Sequence, residues 1–257
     1  MIESGVLFGK KVFFLNPPGV LSDVAAALNA NEFEIYLVYD HKKLARYLSK
    51  KPEAILFVNI DEGLSEPEWE AWIRSVKQNP ATASVGLGVV TMLSDADLSR
   101  KYLMDIGLTC GFVILKIGAA KTTDILLKTL EANEARGRRK YIRSACPSGT
   151  ADLTVLAEDA TLRGNIMDIS IVGMAVWFDS PDAIPVGARL KEIQLTLRGV
   201  RIFVNGVVVG KRAAEGEAAV HVVLFEPGSL SDEKKDKLRS YIRRVLQDEV
   251  NRELELS

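Results

Sequence analysis

Two short stretches of the sequence concentrate side chains that bind anions and nucleobases. The first reads RGRRKYIRSACP over residues 136–147, and five of its first eight residues are Arg or Lys. The second reads DISIVG over residues 168–173 and places a carboxylate, a hydroxyl and a glycine at fixed offsets. Guanidinium groups fork onto phosphate oxygens, pair bidentately with guanine O6 and N7, and stack on base planes. The two stretches therefore predict an anion-binding site with guanidinium donors.

The two stretches supply complementary halves of such a site. Arg139 and Arg143 have the spacing R-x-x-x-R and supply two of the guanidinium groups. Asp168 could accept hydrogen bonds from the N1–H and N2–H₂ edge of guanine, and Ser170 offers a hydroxyl to a phosphate or a base. Gly173 would let the backbone turn or approach a ligand without a Cβ in the way.

Simpler explanations stay open for the same residues. A basic stretch between domains is often only a charged linker, and Arg136 and Lys140 fit that description as ordinary solvated charges. Asp168 could cap a turn, and Ser170 could be a strand-edge hydroxyl. Arginine outnumbers lysine four to one in the first stretch, and lysine binds phosphate forks and base planes less well. This composition favours the binding interpretation.

The bulk composition excludes several classes of protein. The chain has 257 residues, a formal net charge of -1 and 47% hydrophobic residues, which argues against a general binder of nucleic acid or membrane surfaces. Apolar runs are too short for a membrane span or a secretory signal, so we expect a cytoplasmic protein. The cysteines, Cys110 and Cys146, and the histidines, His41 and His221, predict neither a disulfide framework nor a metal or cofactor site.

The first 134 residues alternate strand-like apolar runs with amphipathic stretches of helical period. The runs are residues 11–16, 34–40, 54–60, 85–90 and 111–117. The helical stretches are residues 20–28, 41–51, 66–77, 95–106 and 121–134. Runs this apolar are typical of strands buried on both faces, so we expect an α/β domain over residues 1–134 with a doubly wound parallel sheet of five strands.

The helical period disappears in the second half of the chain. Six short runs rich in β-branched residues follow one another: DLTVLAE, GNIMDISI, MAVWF, EIQLTL, VRIFVNGVVVG and AVHVVLF. Such a series predicts an antiparallel six-stranded barrel or sandwich. Ser231 is a candidate N-cap for a final helix over residues 231–254. We therefore expect a second domain over residues 135–257.

The paired motifs, in this order and ahead of this all-β pattern, resemble the PilZ domain, the bacterial receptor module for cyclic di-GMP. The resemblance extends over roughly residues 136–257. It implies a β-barrel with a C-terminal helix. Arg139 and Arg143 would lie on a flexible segment before the barrel and wrap around the ligand as a clamp. The residues of DISIVG would form the floor of the site on the barrel side. Arg138 makes the motif RRxxxR, and we expect it to reach a second, stacked cyclic di-GMP molecule.

The first domain resembles the receiver domain of two-component response regulators, but it lacks the acidic residues that such domains use. The first strand ends in Asn16 and two prolines where the receiver fold needs an acidic pair for Mg²⁺, and Asn59 aligns with the phosphate acceptor. Thr91 and Lys116 do fall where the receiver has Ser/Thr and Lys. Without carboxylates there is no site for a hard dication. We expect a pseudo-receiver used for dimerisation or partner binding, unless Asp61 is the acceptor.

These resemblances imply a binding protein and not an enzyme, since no nucleophile–base pair, metal triad or glycine-rich nucleotide loop is visible. We expect a cyclic di-GMP effector in which ordering of the linker changes the geometry between the domains or the binding of a partner. A ligand-free scaffold with a degenerate PilZ domain is the alternative. The downstream partner, the ligand stoichiometry and the oligomeric state, a homodimer included, stay open.

Overall fold

The computed structural model describes residues 9–137, 139–156, 161–180, 184–214 and 217–257. Contacts divide the chain into two compact units. The α/β unit comprises Met1–Lys140 and Gln247–Ser257, and the barrel unit comprises Tyr141–Leu246. Arg138 lies outside the described residues, so the expectation of a second ligand at this residue has no structural counterpart here.

The α/β unit is built on a five-stranded parallel sheet, as the apolar runs predict. Its strands are β1 (Lys11–Leu15), β2 (Ile35–Val38), β3 (Ala54–Asn59), β4 (Gly86–Thr91) and β5 (Phe112–Ile114). They pair in the order β2-β1-β3-β4-β5, which is the order of flavodoxin-like doubly wound folds. All six residues of β3 are buried, as expected for a central strand covered on both faces.

Four helices connect these strands, and a fifth follows β5: α1 (Val20–Ala30), α2 (His41–Lys50), α3 (Glu66–Gln78), α4 (Ala96–Arg100) and α5 (Ala119–Ala132). The sequence specifies several helix starts through caps. The Asp40 side chain accepts from the first-turn amides of α2, and Ser65 with Glu68 forms a capping box on α3. The stretch expected as one helix over residues 95–106 is divided, because α4 passes into a π-helical turn over Lys101–Ile106.

The barrel unit contains seven strands within its described residues: β6 (Arg143–Ala145), β7 (Ala151–Leu156), β8 (Thr161–Ser170), β9 (Gly173–Phe178), β10 (Arg189–Leu197), β11 (Val200–Ala214) and β12 (Glu217–Phe225). Six of them close a ring in the order β8-β7-β10-β11-β12-β9, and the pairing of β9 with β8 completes it. The expected six-stranded antiparallel barrel is therefore confirmed. The short strand β6, which the sequence pattern does not predict, is added to β8 outside this ring.

The final helix α6 (Asp232–Glu255) contributes to both units. Leu238, Ile242 and Val245 are buried in the barrel core. The last eleven residues belong to the α/β unit, where the Gln247 side chain bonds the main chain of Leu37 on edge strand β2, at 3.0 Å from its amide and 3.1 Å to its carbonyl. None of the helices in the described part of the chain is long and apolar enough to cross a membrane.

Candidate functional site

The end of the basic stretch forms a strand beside the DISIVG motif. β6 pairs antiparallel with β8, which places Arg143 opposite Ser170 and Ala145 opposite Asp168. Residues directly opposite each other, and residues two apart on one strand, share a face of the sheet. The register therefore brings Arg143, Asp168 and Ser170 to one face, although 25 residues separate the first two in the sequence.

Arg143 and Asp168 form an ion pair between two partly exposed side chains, although the paired Asp168 oxygen is itself buried. The Arg143 Nη1 atom lies 3.0 Å from Asp168 Oδ1, and the two side chains are 29% and 27% exposed. The guanidinium N–H does not point at this oxygen, which has no aligned hydrogen-bond donor. The pair is thus held by charge proximity, and Asp168 Oδ1 accepts no hydrogen bond from the described residues. An anion could take over Arg143, and a nucleobase with N–H groups could take over Asp168.

Ser170 and Gly173 hold the β8–β9 turn in this structure. Ser170 is 2% exposed; its hydroxyl donates to the Gly173 carbonyl at 3.2 Å and accepts from the Val172 amide at 3.4 Å. A Cβ on Gly173 would lie 2.4 Å from the Val223 carbonyl oxygen, so the glycine is required by the close approach of β12. These two motif residues therefore determine the backbone conformation of the β8–β9 turn, which follows Asp168 on β8.

Arg139, the first arginine of the clamp, is exposed and belongs to the α/β unit, whereas Arg143 belongs to the barrel unit. Within the α/β unit its charge acts on Glu34. Burial raises the pKa of Glu34, against the lowering effects of a hydrogen bond from Tyr36 and of the charges of Lys11 and Arg139. The Tyr36 hydroxyl donates to Glu34 Oε2 at 2.9 Å. Arg139 therefore has an acidic neighbour in its own unit.

The position that aligns with a phosphate acceptor holds a buried amide. Asn59 is 0% exposed; its Nδ2 donates to the Asn16 carbonyl at 2.8 Å, and its Oδ1 accepts from the Asp61 amide at 3.2 Å. Asn16 has a positive φ of 51°. Asn59 thus ties the end of β1 to the loop after β3, and an amide cannot accept a phosphoryl group as a carboxylate does.

The Asp61 carboxylate is occupied at both oxygens. Oδ1 accepts from the Thr91 hydroxyl, and Oδ2 accepts from the Met92 amide at 2.6 Å. Thr91 is 0% exposed at the end of β4, whereas Lys116 is exposed on the turn after β5. Both oxygens of Asp61 are therefore engaged within the α/β unit.

Both histidines pack against aromatic rings. His41 packs edge-on against Trp69 and Trp72, and His221 is 0% exposed and packs against Phe178. Over the described ranges, no three His, Cys, Asp or Glu residues come together in a way that could hold a metal ion.

A cavity of about 250 Å³ near His41 is lined by aromatic, amide and acidic side chains, and its described lining includes no Lys or Arg.

The second unit is a small closed β-barrel that carries an arginine-bearing strand beside an acidic strand end. The model of the PilZ domain family matches residues 137–244. This part of the chain is therefore a PilZ domain, and the α/β unit lies almost entirely outside the match.

Solved structures of similar fold include PilZ proteins with a bound ligand. The PilZ domain of YcgR from Escherichia coli with c-di-GMP is 19% identical, with a TM-score of 0.38, and the match covers 46% of this chain and 98% of that chain. Full-length E. coli YcgR in complex with c-di-GMP is 16% identical over 48% of this chain and 52% of that chain, with a TM-score of 0.41. The MrkH–c-di-GMP complex of K. pneumonia is 18% identical over 48% and 57%, with a TM-score of 0.36.

The chain spans about half the length of the YcgR and MrkH proteins that it matches. No curated protein matches the chain.

Proposed function

We propose that the chain is a cyclic di-GMP receptor. The observation that carries this proposal is the Arg143–Asp168 ion pair at 3.0 Å, which the β6–β8 register creates inside a PilZ domain. Both residues stand at the positions where the PilZ motifs have ligand-binding side chains. Cyclic di-GMP is also the ligand in the YcgR and MrkH complexes.

Binding would proceed by exchange of partners at this pair. A phosphate of the ligand takes the Arg143 guanidinium, and the released Asp168 carboxylate accepts from the N1–H and N2–H₂ groups of a guanine. Arg139 closes on the ligand from the linker. Ser170 and Gly173 keep the β8–β9 turn in the shape that presents Asp168.

Arg138 is proposed to contact a second ligand molecule. A calorimetric stoichiometry of two ligands per chain, falling to one in Arg138→Ala, would support this role.

Calorimetric titration of cyclic di-GMP tests the roles of the two clamp arginines. We expect saturable binding by the wild type. Each charge-assisted hydrogen bond contributes about 1.5–3 kcal/mol, so Arg139→Ala/Arg143→Ala should weaken binding at least about a hundredfold. The matched control is Arg189→Ala/Arg201→Ala, which removes two exposed arginines from β10 and β11 and should leave the affinity within about twofold. Equal affinities in the two double variants would refute the assigned roles.

The proposed protein is a cytoplasmic effector without catalytic activity, and the α/β unit serves as a pseudo-receiver for dimerisation or a protein partner. Ordering of the 138–143 segment around the ligand changes the arrangement of the two units or the binding of that partner. The alternative is a scaffold whose barrel no longer binds the ligand. The partial exposure of the Arg143 and Asp168 side chains, and the Asp168 oxygen that lacks an aligned donor, favour the receptor over the scaffold.

A further inference from the structure

The segment that leads into the arginine clamp is fixed to the α/β unit by main-chain bonds. Ala135 is 2% exposed. Its amide donates to the Leu130 carbonyl at 2.9 Å, and its carbonyl accepts from the Lys10 amide at 2.9 Å. The Lys10 side chain adds a bond to the Asn133 carbonyl at 2.8 Å. The chain therefore leaves α5 in a defined direction.

Phe33 and Arg136 extend this attachment by one residue. The guanidinium carbon of Arg136 lies 4.7 Å from the ring centroid of Phe33, a cation–π geometry. Phe33 is 1% exposed and belongs to the same core cluster as Ala135. Arg136 Nη2 also lies 3.5 Å from Glu131 Oε1. The first cation of the basic stretch thus holds the linker to the α/β unit.

Gly9 lies directly against the main chain of residues 135–137, the linker that leads from α5 into the basic stretch. A Cβ on Gly9 would lie 2.6 Å from the Ala135 carbonyl oxygen and 2.9 Å from the Gly137 amide nitrogen. Both atoms are backbone atoms, so a larger residue at this position would displace the linker itself. Only a glycine allows the chain from Ala135 to Gly137 to pass this close.

We propose that Gly9, Phe33 and Arg136 are positioning residues of the cyclic di-GMP site, although Gly9 and Phe33 are distant from its motifs in sequence. They fix the point at which the chain enters the clamp segment, residues 138–143. The pairing of β6 with β8 fixes the other end of this segment at Arg143. This inference rests on the proposed function, because it assigns to these residues a share of the affinity for that ligand.

The physical basis is the length of chain that ligand binding must order. Five residues separate Gly137 from Arg143, and release of the linker back to Glu134 raises this number to eight. Loop-closure entropy alone then weakens binding by about (8/5) to the power 3/2, a factor of about two. The three released residues must also regain their backbone conformation. We therefore expect a loss of affinity of at least about threefold.

Two charge-neutral variants with matched controls test this. Gly9→Ala displaces the linker, and Gly19→Ala is its control, because a Cβ there meets nothing within 4 Å. Phe33→Leu removes the ring under Arg136, and Phe14→Leu is its control, because Phe14 lies in the same core cluster with its ring stacked on Phe57. Each variant is measured by calorimetry with cyclic di-GMP and, without ligand, by hydrogen exchange at the Lys10 and Ala135 amides.

We expect both test variants to exchange these two amides faster than the wild type and to bind at least about threefold more weakly. The controls should keep wild-type exchange there and bind within about 1.5-fold of the wild type. Faster exchange with unchanged affinity would overturn the positioning role and leave the receptor intact. Failure of the wild type itself to bind would overturn the receptor proposal and this inference with it.

Discussion

The Arg143–Asp168 pair is suited to exchange partners because it contributes little to the stability of the free protein. A partly exposed ion pair is typically worth about 0–1 kcal/mol, and this one lacks an aligned hydrogen bond. A charge-assisted bond to a ligand is worth about 1.5–3 kcal/mol. The free energy needed to separate the pair is therefore smaller than the free energy that a charge-assisted hydrogen bond to a phosphate or a guanine edge would supply.

The buried Glu34 carboxylate predicts how the free energy of unfolding depends on pH. Its pKa is raised by burial above the ordinary value of 4.5. As the pH rises from below that value, the unfolded state ionises before the folded state, so the free energy of unfolding falls until the folded pKa is passed. We expect Glu34→Gln to be more stable than the wild type near neutral pH, and this advantage to disappear below about pH 4.

Urea unfolding of both proteins at about pH 7.5 and pH 4 measures this difference, since other titrating groups cancel between them. Tyr36 can still donate to the amide oxygen at residue 34, so its hydrogen bond is kept. An advantage of the variant that is equal at both pH values would contradict the assigned burial of the Glu34 carboxylate.

The secondary-structure elements show what the sequence could and could not predict. The apolar runs predicted all five parallel strands, and the β-branched runs predicted the six strands of the ring. Strand β6 was missed because three residues are too few to show a period of two. The π-helical turn over Lys101–Ile106 was missed because the apolar pattern of a helix scarcely changes when one turn widens.

The candidate site could be predicted as residue types but not as contacts. The spacing of the two motifs singled out Arg143 and Asp168, yet their ion pair depends on the register of β6. The role of Gly173 was hidden for a related reason: the atom that excludes a Cβ is the Val223 carbonyl, 50 residues further along the chain. Sequence spacing contains no information on which distant strand lies beside a glycine.

The ends of β3 and β4 yield a prediction about phosphorylation. Asp61 is hydrogen-bonded to Thr91 and Met92, and an amide, Asn59, stands where we expect the acceptor of a receiver, so we expect no adduct after incubation with acetyl phosphate and Mg²⁺. Mass spectrometry of the intact protein measures this, with Asp61→Asn as the control for labelling elsewhere. An adduct on the wild type that Asp61→Asn abolishes would show a working receiver instead of a pseudo-receiver.

At the scale of the whole molecule, the proposed clamp segment lies at the boundary between the α/β unit and the barrel unit. If cyclic di-GMP orders this segment, we expect the radius of gyration from small-angle scattering to change on saturation of the wild type. The Arg139→Ala/Arg143→Ala variant under the same conditions should show no change. Superimposable wild-type curves at saturation would remove the proposed rearrangement and leave ligand binding untouched.

We propose above that this chain binds cyclic di-GMP, and Asp168 would select this ligand by its guanines. Calorimetry of the wild type with cyclic di-GMP and with cyclic di-AMP tests it most directly, because the two ligands share their phosphates and differ in the base edge offered to Asp168. We predict saturable binding of cyclic di-GMP, and binding of cyclic di-AMP at least about tenfold weaker, since the N1 acceptor of adenine faces a carboxylate. No saturable binding of cyclic di-GMP, or equal affinity for both ligands, would contradict the account.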